Sequence, residues 1–390
     1  MKSAVVKVNN IIDTSKAGNE LIEKISKRLE LKRYSIGVLF CSSTVDATDI
    51  VKVIDNKLGI PVIGCTSSGE ISNDGYSDDS ATFMIITSDK NRFYHGIIEN
   101  ILDSGRGELE KSIEENYDMA KKQYGDEEPS IMLIFPSFEG LKSIATIFDI
   151  LNQNYRGLSV FGGGSSADFG DESQVCKEFY NGKVYEGAMP YLFIKTENKP
   201  VIACENIINI DRQVVGKITD YDLNIIKTID NEPAYEFLKR TLGYDVSKSS
   251  VFFLYPSIIF SEGHHYARVI IDIDKENGYL ILGGIIENGG EISLQVVMAD
   301  FIEKSTEKAI KDIMDRRSEG MNTILCVSCE CRKLINIFEK EQEANILNNH
   351  IDDNINLIGF YSYGEITSLL KEDGATYSFY NNETISICVL

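Results

Sequence analysis

Gly64-Cys65-Thr66-Ser67-Ser68-Gly69-Glu70-Ile71 returns near the C-terminus as Gly359-Phe360-Tyr361-Ser362-Tyr363-Gly364-Glu365-Ile366. An apolar run ending in serine or cysteine precedes each. It is Gly37-Val38-Leu39-Phe40-Cys41-Ser42-Ser43 in the first case and Leu325-Cys326-Val327-Ser328-Cys329 in the second. Between them lies a third copy, Leu133-Ile134-Phe135-Pro136-Ser137-Phe138, followed by Val160-Phe161-Gly162-Gly163-Gly164-Ser165-Ser166-Ala167-Asp168. Self-similarity of this kind marks a repeated supersecondary unit. The gap inside each copy has room for a helix, so the unit reads as strand, helix, short strand and Gly/Ser loop. Such crossovers join parallel strands, and ligands bind at the carboxyl ends of those strands. Equivalent Ser/Cys/Gly loops are therefore expected to face shared crevices. Phe253-Leu254-Tyr255-Pro256-Ser257 reads as a degenerate fourth start.

Outside the repeats, apolar periodicity alternates between two and 3.6 residues, which predicts an α/β class with mixed sheets. Strands are predicted over 36–40, 81–86, 131–135, 184–194, 251–255, 268–273, 279–286, 323–327 and 384–390. Leu21, Ile25 and Leu29 form a helical stripe behind Thr14 and Ser15 as capping candidates. Leu109 to Tyr124, Leu141 to Leu151 and Phe301 to Ile313 carry similar stripes, and Leu334, Ile337 and Phe338 read as one more helix. The polar stretch Lys195-Thr196-Glu197-Asn198-Lys199-Pro200 is the expected boundary between two related domains, 1–199 and 200–390.

Composition narrows the function. The chain has 39 Lys plus Arg against 60 Asp plus Glu, a net charge of −21. Phosphate backbones and anionic lipid surfaces are repelled by such a chain, so neither nucleic acid nor membrane is an expected partner. The N-terminus has no apolar signal stretch, and eight cysteines without one read as reduced thiols in the cytoplasm.

The chemistry-bearing residues gather in the repeat loops. The Gly-Glu pairs at Gly69-Glu70 and Gly364-Glu365 suit a carboxylate that clamps a neighbouring loop or meets a ligand amine. Gly162-Gly163-Gly164-Ser165-Ser166 presents successive backbone N–H groups, but without the lysine or glycine spacing of nucleotide-binding loops. Cys326-x-x-Cys329-x-Cys331 lacks a fourth metal ligand. Cys329 stands near Arg332, whose guanidinium is expected to lower the thiol pKa and favour thiolate. Of the four histidines, the pair His264-His265 is the candidate for an iron or metal ligand.

The chain resembles the FIST family, sensory proteins with an N-terminal and a C-terminal FIST domain. Gly64–Ile71, Gly75-Tyr76-Ser77-Asp78-Asp79-Ser80 and the Phe161–Asp168 loop carry the N-terminal likeness. Pro233-Ala234-Tyr235-Glu236, Arg268 to Asp274, Ser328-Cys329-Glu330-Cys331-Arg332 and Gly359–Ile366 carry the C-terminal one. The resemblance implies a non-enzymatic sensor of a small metabolite such as an amino acid. Output would go to a separate histidine kinase, chemoreceptor or cyclic-di-GMP enzyme. Cys41, Ser42, Ser43, Thr66, Glu70 and Ser165 are expected to line one crevice with Gly163 and Gly164. Cys329, Arg332, Tyr363, Gly364 and Glu365 are expected in the other, where the Arg332 fork suits a carboxylate. The alternatives are a haem-based nitric oxide sensor using His264 or His265, and a thiol enzyme or redox sensor built on Cys329.

Overall fold

The computed structural model describes the backbone of residues 1–168, 174–207, 216–246, 256–261, 264–286, 289–295, 297–370 and 374–390. The chain is mixed α/β, as expected, and the repeat is its building block.

The first module runs β1 (Lys2–Val8), α1 (Thr14–Arg28), β2 (Tyr34–Ser42), α2 (Thr48–Leu58), β3 (Val62–Ser67), a hairpin β4 (Glu70–Ser72) and β5 (Gly75–Ser77), and β6 (Ala81–Ser88). The second repeats that order as β7 (Phe93–Ile98), α3 (Arg106–Gln123), β8 (Ile131–Ile134), α4 (Leu141–Asn154), β9 (Ser159–Gly163), hairpin β10 (Glu178–Tyr180) and β11 (Lys183–Tyr185), and β12 (Met189–Ile194). The third opens with β13 (Val201–Asn206) and is then interrupted by an inserted sheet. That sheet uses β14 (Gly216–Asp222), β15 (Ile225–Ile229), β16 (Glu232–Pro233), β17 (Ser257–Ser261), β18 (His264–Arg268), β19 (Ile270–Asp274), β20 (Tyr279–Leu282) and β21 (Gly290–Leu294), with α5 (Ala234–Leu242) packed on it. The module resumes with α6 (Ala299–Arg316), β22 (Thr323–Cys329), α7 (Glu330–Ile335), α8 (Gln342–His350), β23 (Asn356–Ser362), hairpin β24 (Glu365–Leu370) and β25 (Thr376–Asn381), and β26 (Thr384–Val389).

Each module gives its hairpin away. The strand orders are β1-β6-β2-β3-β10-β11, β7-β12-β8-β9-β24-β25 and β13-β26-β22-β23-β4-β5. The first sheet therefore receives the second module's hairpin, the second sheet receives the third's, and the third sheet receives the first's. The exchange closes a ring. It also covers β3, β9 and β23, which would otherwise be open sheet edges. Within each sheet the pairs β2/β3, β8/β9 and β22/β23 are parallel and the remaining neighbours antiparallel.

One glycine per module makes the parallel pairing possible. A Cβ on Gly64 would stand 1.8 Å from the Leu39 carbonyl oxygen, one on Gly162 1.8 Å from that of Ile134, and one on Gly359 2.5 Å from that of Cys326. No side chain fits there. The three sheets meet on a shared apolar centre in which Phe40 stacks on Phe360 at 4.2 Å and meets Phe135 edge-on at 5.2 Å. Each such aromatic contact contributes about 0.5–1.5 kcal/mol beyond its buried area.

Local expectations are corrected at several points. Asp13, not Thr14 or Ser15, caps α1, its carboxylate accepting from the Lys16 N–H at 2.9 Å. Ile337 and Phe338 lie beyond the end of α7 and face solvent. The run 184–194 divides into β11 and β12, and 268–273 breaks at Val269. The strand predicted over 251–255, and with it most of the fourth repeat start, lies outside the described residues; Ser257 begins β17 of the inserted sheet. Among the described residues no helix is long and apolar enough to cross a membrane.

Candidate functional site

Every donated hairpin starts on a buried glutamate. Glu70 opens β4, Glu178 opens β10 and Glu365 opens β24. Glu70 accepts hydrogen bonds from Ser67, Ser80 and Ser42. Glu178 accepts from Ser165 Oγ at 2.7 Å and from the Ala188 N–H at 3.1 Å. Glu365 accepts from Ser362 Oγ at 2.9 Å and Thr384 Oγ1 at 2.8 Å. The donors belong to the module that gives the hairpin, while the glutamate's strand pairs in the next sheet, so each bond pins a crossover. Burial pushes Glu70 and Glu178 up to about 8 and Glu365 up to about 7, against the opposing pull of the hydroxyl donors. Glu178 carries no mark in the repeat pattern, because that copy has Asp168 where the others have glutamate. The available signal is its turn: Glu178-Phe179-Tyr180-Asn181-Gly182 echoes Glu70-Ile71-Ser72-Asn73-Asp74-Gly75.

The loops of the three modules bond directly to one another. The Ser68 N–H donates to Ser166 Oγ at 3.0 Å, and Ser166 Oγ donates to the Tyr361 carbonyl at 2.5 Å. The Gly164 N–H reaches the Gly364 carbonyl at 3.0 Å, and the Tyr363 N–H reaches the Gly164 carbonyl at 3.3 Å. Gly163 sits opposite Glu365 in the β9/β24 ladder. Thr66 Oγ1 accepts from the Lys177 N–H at 3.0 Å, and Ser43 donates to Gln174. Cys41 is buried in the apolar layer shared with α1 and α2. The first expected crevice is thus filled by the protein's own contacts.

The open space lies beside the second set of loops. A cavity of about 340 Å³ is bounded on one side by Val269, Ile271 and Gly283 of the inserted sheet. Opposite them stand Cys329, Glu330 and Cys331 at the β22–α7 junction, and Ser362, Tyr363 and Gly364 at the β23–β24 turn. Phe138, Glu139, Ala167, Asp168, Gln174 and Cys176 of the second module close another side. Of the residues expected to line a crevice, Cys329, Tyr363 and Gly364 border this space, as does Cys331 of the cysteine motif. Asn382, in the turn between β25 and β26, also lines it; that side chain is 4% exposed and its Oδ1 accepts no hydrogen bond from any described residue. Its position in an Asn-Asn turn signals only a hairpin, so nothing in the sequence marks Asn382 itself as a cavity residue. Lys333 Nζ, also buried, stands 3.3 Å from Asp168 and 3.8 Å from Glu330 and donates to the Ser68 carbonyl.

Arg332 points away from the cavity. It is 0% exposed and paired with Glu343 of α8, Nη2 to Oε1 at 2.7 Å. Its other donors reach Ser305 at 3.0 Å and Thr306 at 2.9 Å on α6. Glu343 in turn accepts from Ser328 at 3.0 Å and from the Tyr361 hydroxyl at 3.1 Å. A guanidinium engaged in this way has no fork left for a ligand carboxylate.

The expected depression of the Cys329 thiol is reversed as well. A hydrogen bond with Cys331 pulls its pKa down, but burial and the Glu365 and Glu383 carboxyls prevail and hold it at about 11. Haem does not fit the donor set here. No histidine lines the cavity among the described residues, and its thiols are held protonated, Cys331 by its hydrogen bond with Cys329 and by burial, Cys329 and Cys176 by burial. His265 lies exposed on β18 with its ring 4.6 Å from that of Phe260, and the His264 side chain lies outside the described residues.

Comparison with known proteins places this architecture. No curated protein matches the chain. Among solved structures, one of PurLQS from Thermotoga maritima aligns over 99% of this chain and 72% of its own, at 9% identity and a TM-score of 0.22, too low to bear on fold. Two family models match in succession, the FIST N domain over residues 35–232 and the FIST C domain over residues 234–368. FIST domains are generally sensory domains of signalling proteins. With nearly its whole length covered by that pair of domains, the chain belongs to the FIST family.

Proposed function

We propose that this protein is a non-enzymatic cytoplasmic sensor whose cavity takes a small amphipathic metabolite carrying an amine. Its occupancy is read by a separate signalling protein, such as a histidine kinase, a chemoreceptor or a cyclic-di-GMP enzyme. The observation that carries this reading is the 340 Å³ cavity with the buried Asn382 Oδ1 in its wall, which has no donor among the described residues. An acceptor left without a donor costs free energy that a ligand N–H recovers. Among the described residues the charged groups that line the cavity are Glu139, Asp168 and Glu330, with Lys333 and Arg268 behind them, so the lining itself favours an ammonium over a carboxylate. Val269, Ile271 and Phe138 supply the apolar side that an aliphatic chain needs. Sensory families work by differential binding, and a ligand between the inserted sheet and the β22–α7 junction biases the arrangement of the two.

Thermal unfolding with leucine, 3-methylbutylamine and 4-methylpentanoate tests the proposal, since the last two lack the carboxylate and the amine respectively. The melting temperature is expected to rise with the two amines and not with the acid, and the rise is expected to disappear in Asp168→Asn. A rise with the acid alone, or none across a wider set of small amines, overturns it. Mass spectrometry of molecules released from the purified protein identifies the natural ligand.

A further inference from the structure

The turn leaving α7 presents two large apolar side chains to solvent: Ile337 is 51% exposed and Phe338 99%. Both border an open groove of about 650 Å³ between that turn, α8 and the β4–β5 hairpin. The groove's polar lining is acidic. Asp78, Glu303, Glu339 and Glu341 face one lysine, Lys340, which Asp78 already holds at 3.5 Å. Exposing an aromatic ring in this way is unfavourable unless something covers it in use. The cover must tolerate four carboxylates, which disfavours anionic lipid and nucleic acid.

We propose that this groove docks a basic amphipathic helix of the protein's signalling partner. Aliphatic residues spaced three and four apart on such a helix would pack on Phe338 and Ile337. Its flanking Lys and Arg side chains would meet the acidic rim. Position in the fold supports the assignment. Glu330 and Cys331 at the start of α7 line the cavity, and the residues just past its end form the groove wall, so one short helix borders both. The docking proposal rests on the reading of a separate signalling partner but not on the ligand, and it is tested on ligand-free protein, so the two fail separately.

The probe is a fluorescein-labelled 18-residue lysine–leucine peptide with helical apolar spacing, titrated by anisotropy at 0.15 M salt. Its controls are a scrambled sequence of the same composition and a version with glutamate for lysine. The amphipathic basic peptide is expected to bind at least tenfold more tightly than either control. Ile337→Ser with Phe338→Ser is expected to weaken it tenfold or more, as is Glu303→Lys with Glu339→Lys. All four positions are at the surface, so unchanged melting temperatures confirm folding. Glu114→Lys with Glu115→Lys on α3 makes the same charge change elsewhere and is expected to alter binding less than twofold. An equal loss in that α3 variant would assign the binding to overall charge. Insensitivity to the Phe338 substitution, or a concentration-dependent dimer that the substitution abolishes, would equally overturn the proposal; the dimer would assign the groove to a second copy of the chain.

Discussion

Ser165 Oγ donates to Glu178 at 2.7 Å across thirteen residues of chain, and Ser362 Oγ donates to Glu365 at 2.9 Å across only three. The two bonds occupy equivalent places in the ring. In both, a serine three residues past the crowded glycine of its module holds the first residue of the departing hairpin. Ser67 and Glu70 complete the set. The geometry is conserved within the molecule even where a longer connection separates the partners, so the pin is required by the hairpin exchange and not by the local turn.

These carboxyls make stability pH-dependent in a definite direction. Glu178 is raised to about 8 by burial, although Ser165 and the Ala188 N–H pull the other way and Glu139 and Glu186 add to the rise. In the unfolded chain a glutamate titrates near ~4.3. Between these values the native state keeps a proton that the unfolded chain has lost. The stabilisation is therefore full below ~4.3 and is lost as pH climbs to about 8, at about 1.4 kcal/mol per pH unit for each such proton. The urea midpoint is expected to fall between pH 5.5 and pH 8. Glu178→Gln, whose amide can donate to Ser165 and accept from Ala188, is expected to fall less steeply by one proton's worth. Equal slopes would mean that Glu178 is ionised in the folded protein.

The Arg332–Glu343 pair predicts a different response. Truncation as Arg332→Ala leaves a buried carboxylate without its cation, which costs about 3–5 kcal/mol. Chemical unfolding measures that loss directly. Arg332→Lys keeps the charge but not the fork that reaches Ser305 and Thr306 together, and an intermediate loss is expected. Arg332→Met combined with Glu343→Leu removes both charges and is expected to be more stable than Arg332→Ala alone. If the double variant is the weakest of the three, the pair contributes more than charge neutrality.

What the sequence discloses here follows from the range of each interaction. Gly64, Gly162 and Gly359 are legible because their steric demand is local and recurs in every copy. Hairpin exchange is not, because β4 pairs with β23 across most of the chain and periodicity within either strand says nothing of its neighbour. Arg332 shows the same limit on a smaller scale. Its spacing from Cys329 suggests a partner, but which way a guanidinium turns depends on α8, where Glu343 waits eleven residues on. Ile337 and Phe338 continue a helical spacing after the helix has ended, so a pattern that normally marks a core face here marks an exposed one.

With Arg332 turned towards Glu343, the Cys329 thiol is set by its hydrogen bond with Cys331, by burial and by the Glu365 and Glu383 carboxyls. A thiol reacts as thiolate, and a neighbouring guanidinium favours that form only when its charge is not already matched. Here Glu343 matches it, while the nearby Glu365 and Glu383 carboxyls and burial disfavour a second negative charge. Glu383 is itself fully buried and raised to about 8 by its burial. With the Cys329 thiol at about 11, labelling by iodoacetamide at pH 7.5 should be slow. Peptide mapping is expected to find Cys329 no faster than the half-buried Cys176 and Cys204, whose thiols burial also raises, to about 12 and about 11. The Cys329 rate should climb roughly tenfold per pH unit through pH 9 without levelling, as a thiol far below its pKa does. A plateau below ~8.5 would instead show a stabilised thiolate. Glu343→Gln sharpens the comparison. The Arg332–Glu343 pair acts on Cys326 and not on Cys329, so removing that carboxylate is expected to leave the labelling rates of both Cys329 and Cys176 unchanged; faster labelling of Cys329 would show that the guanidinium reaches it.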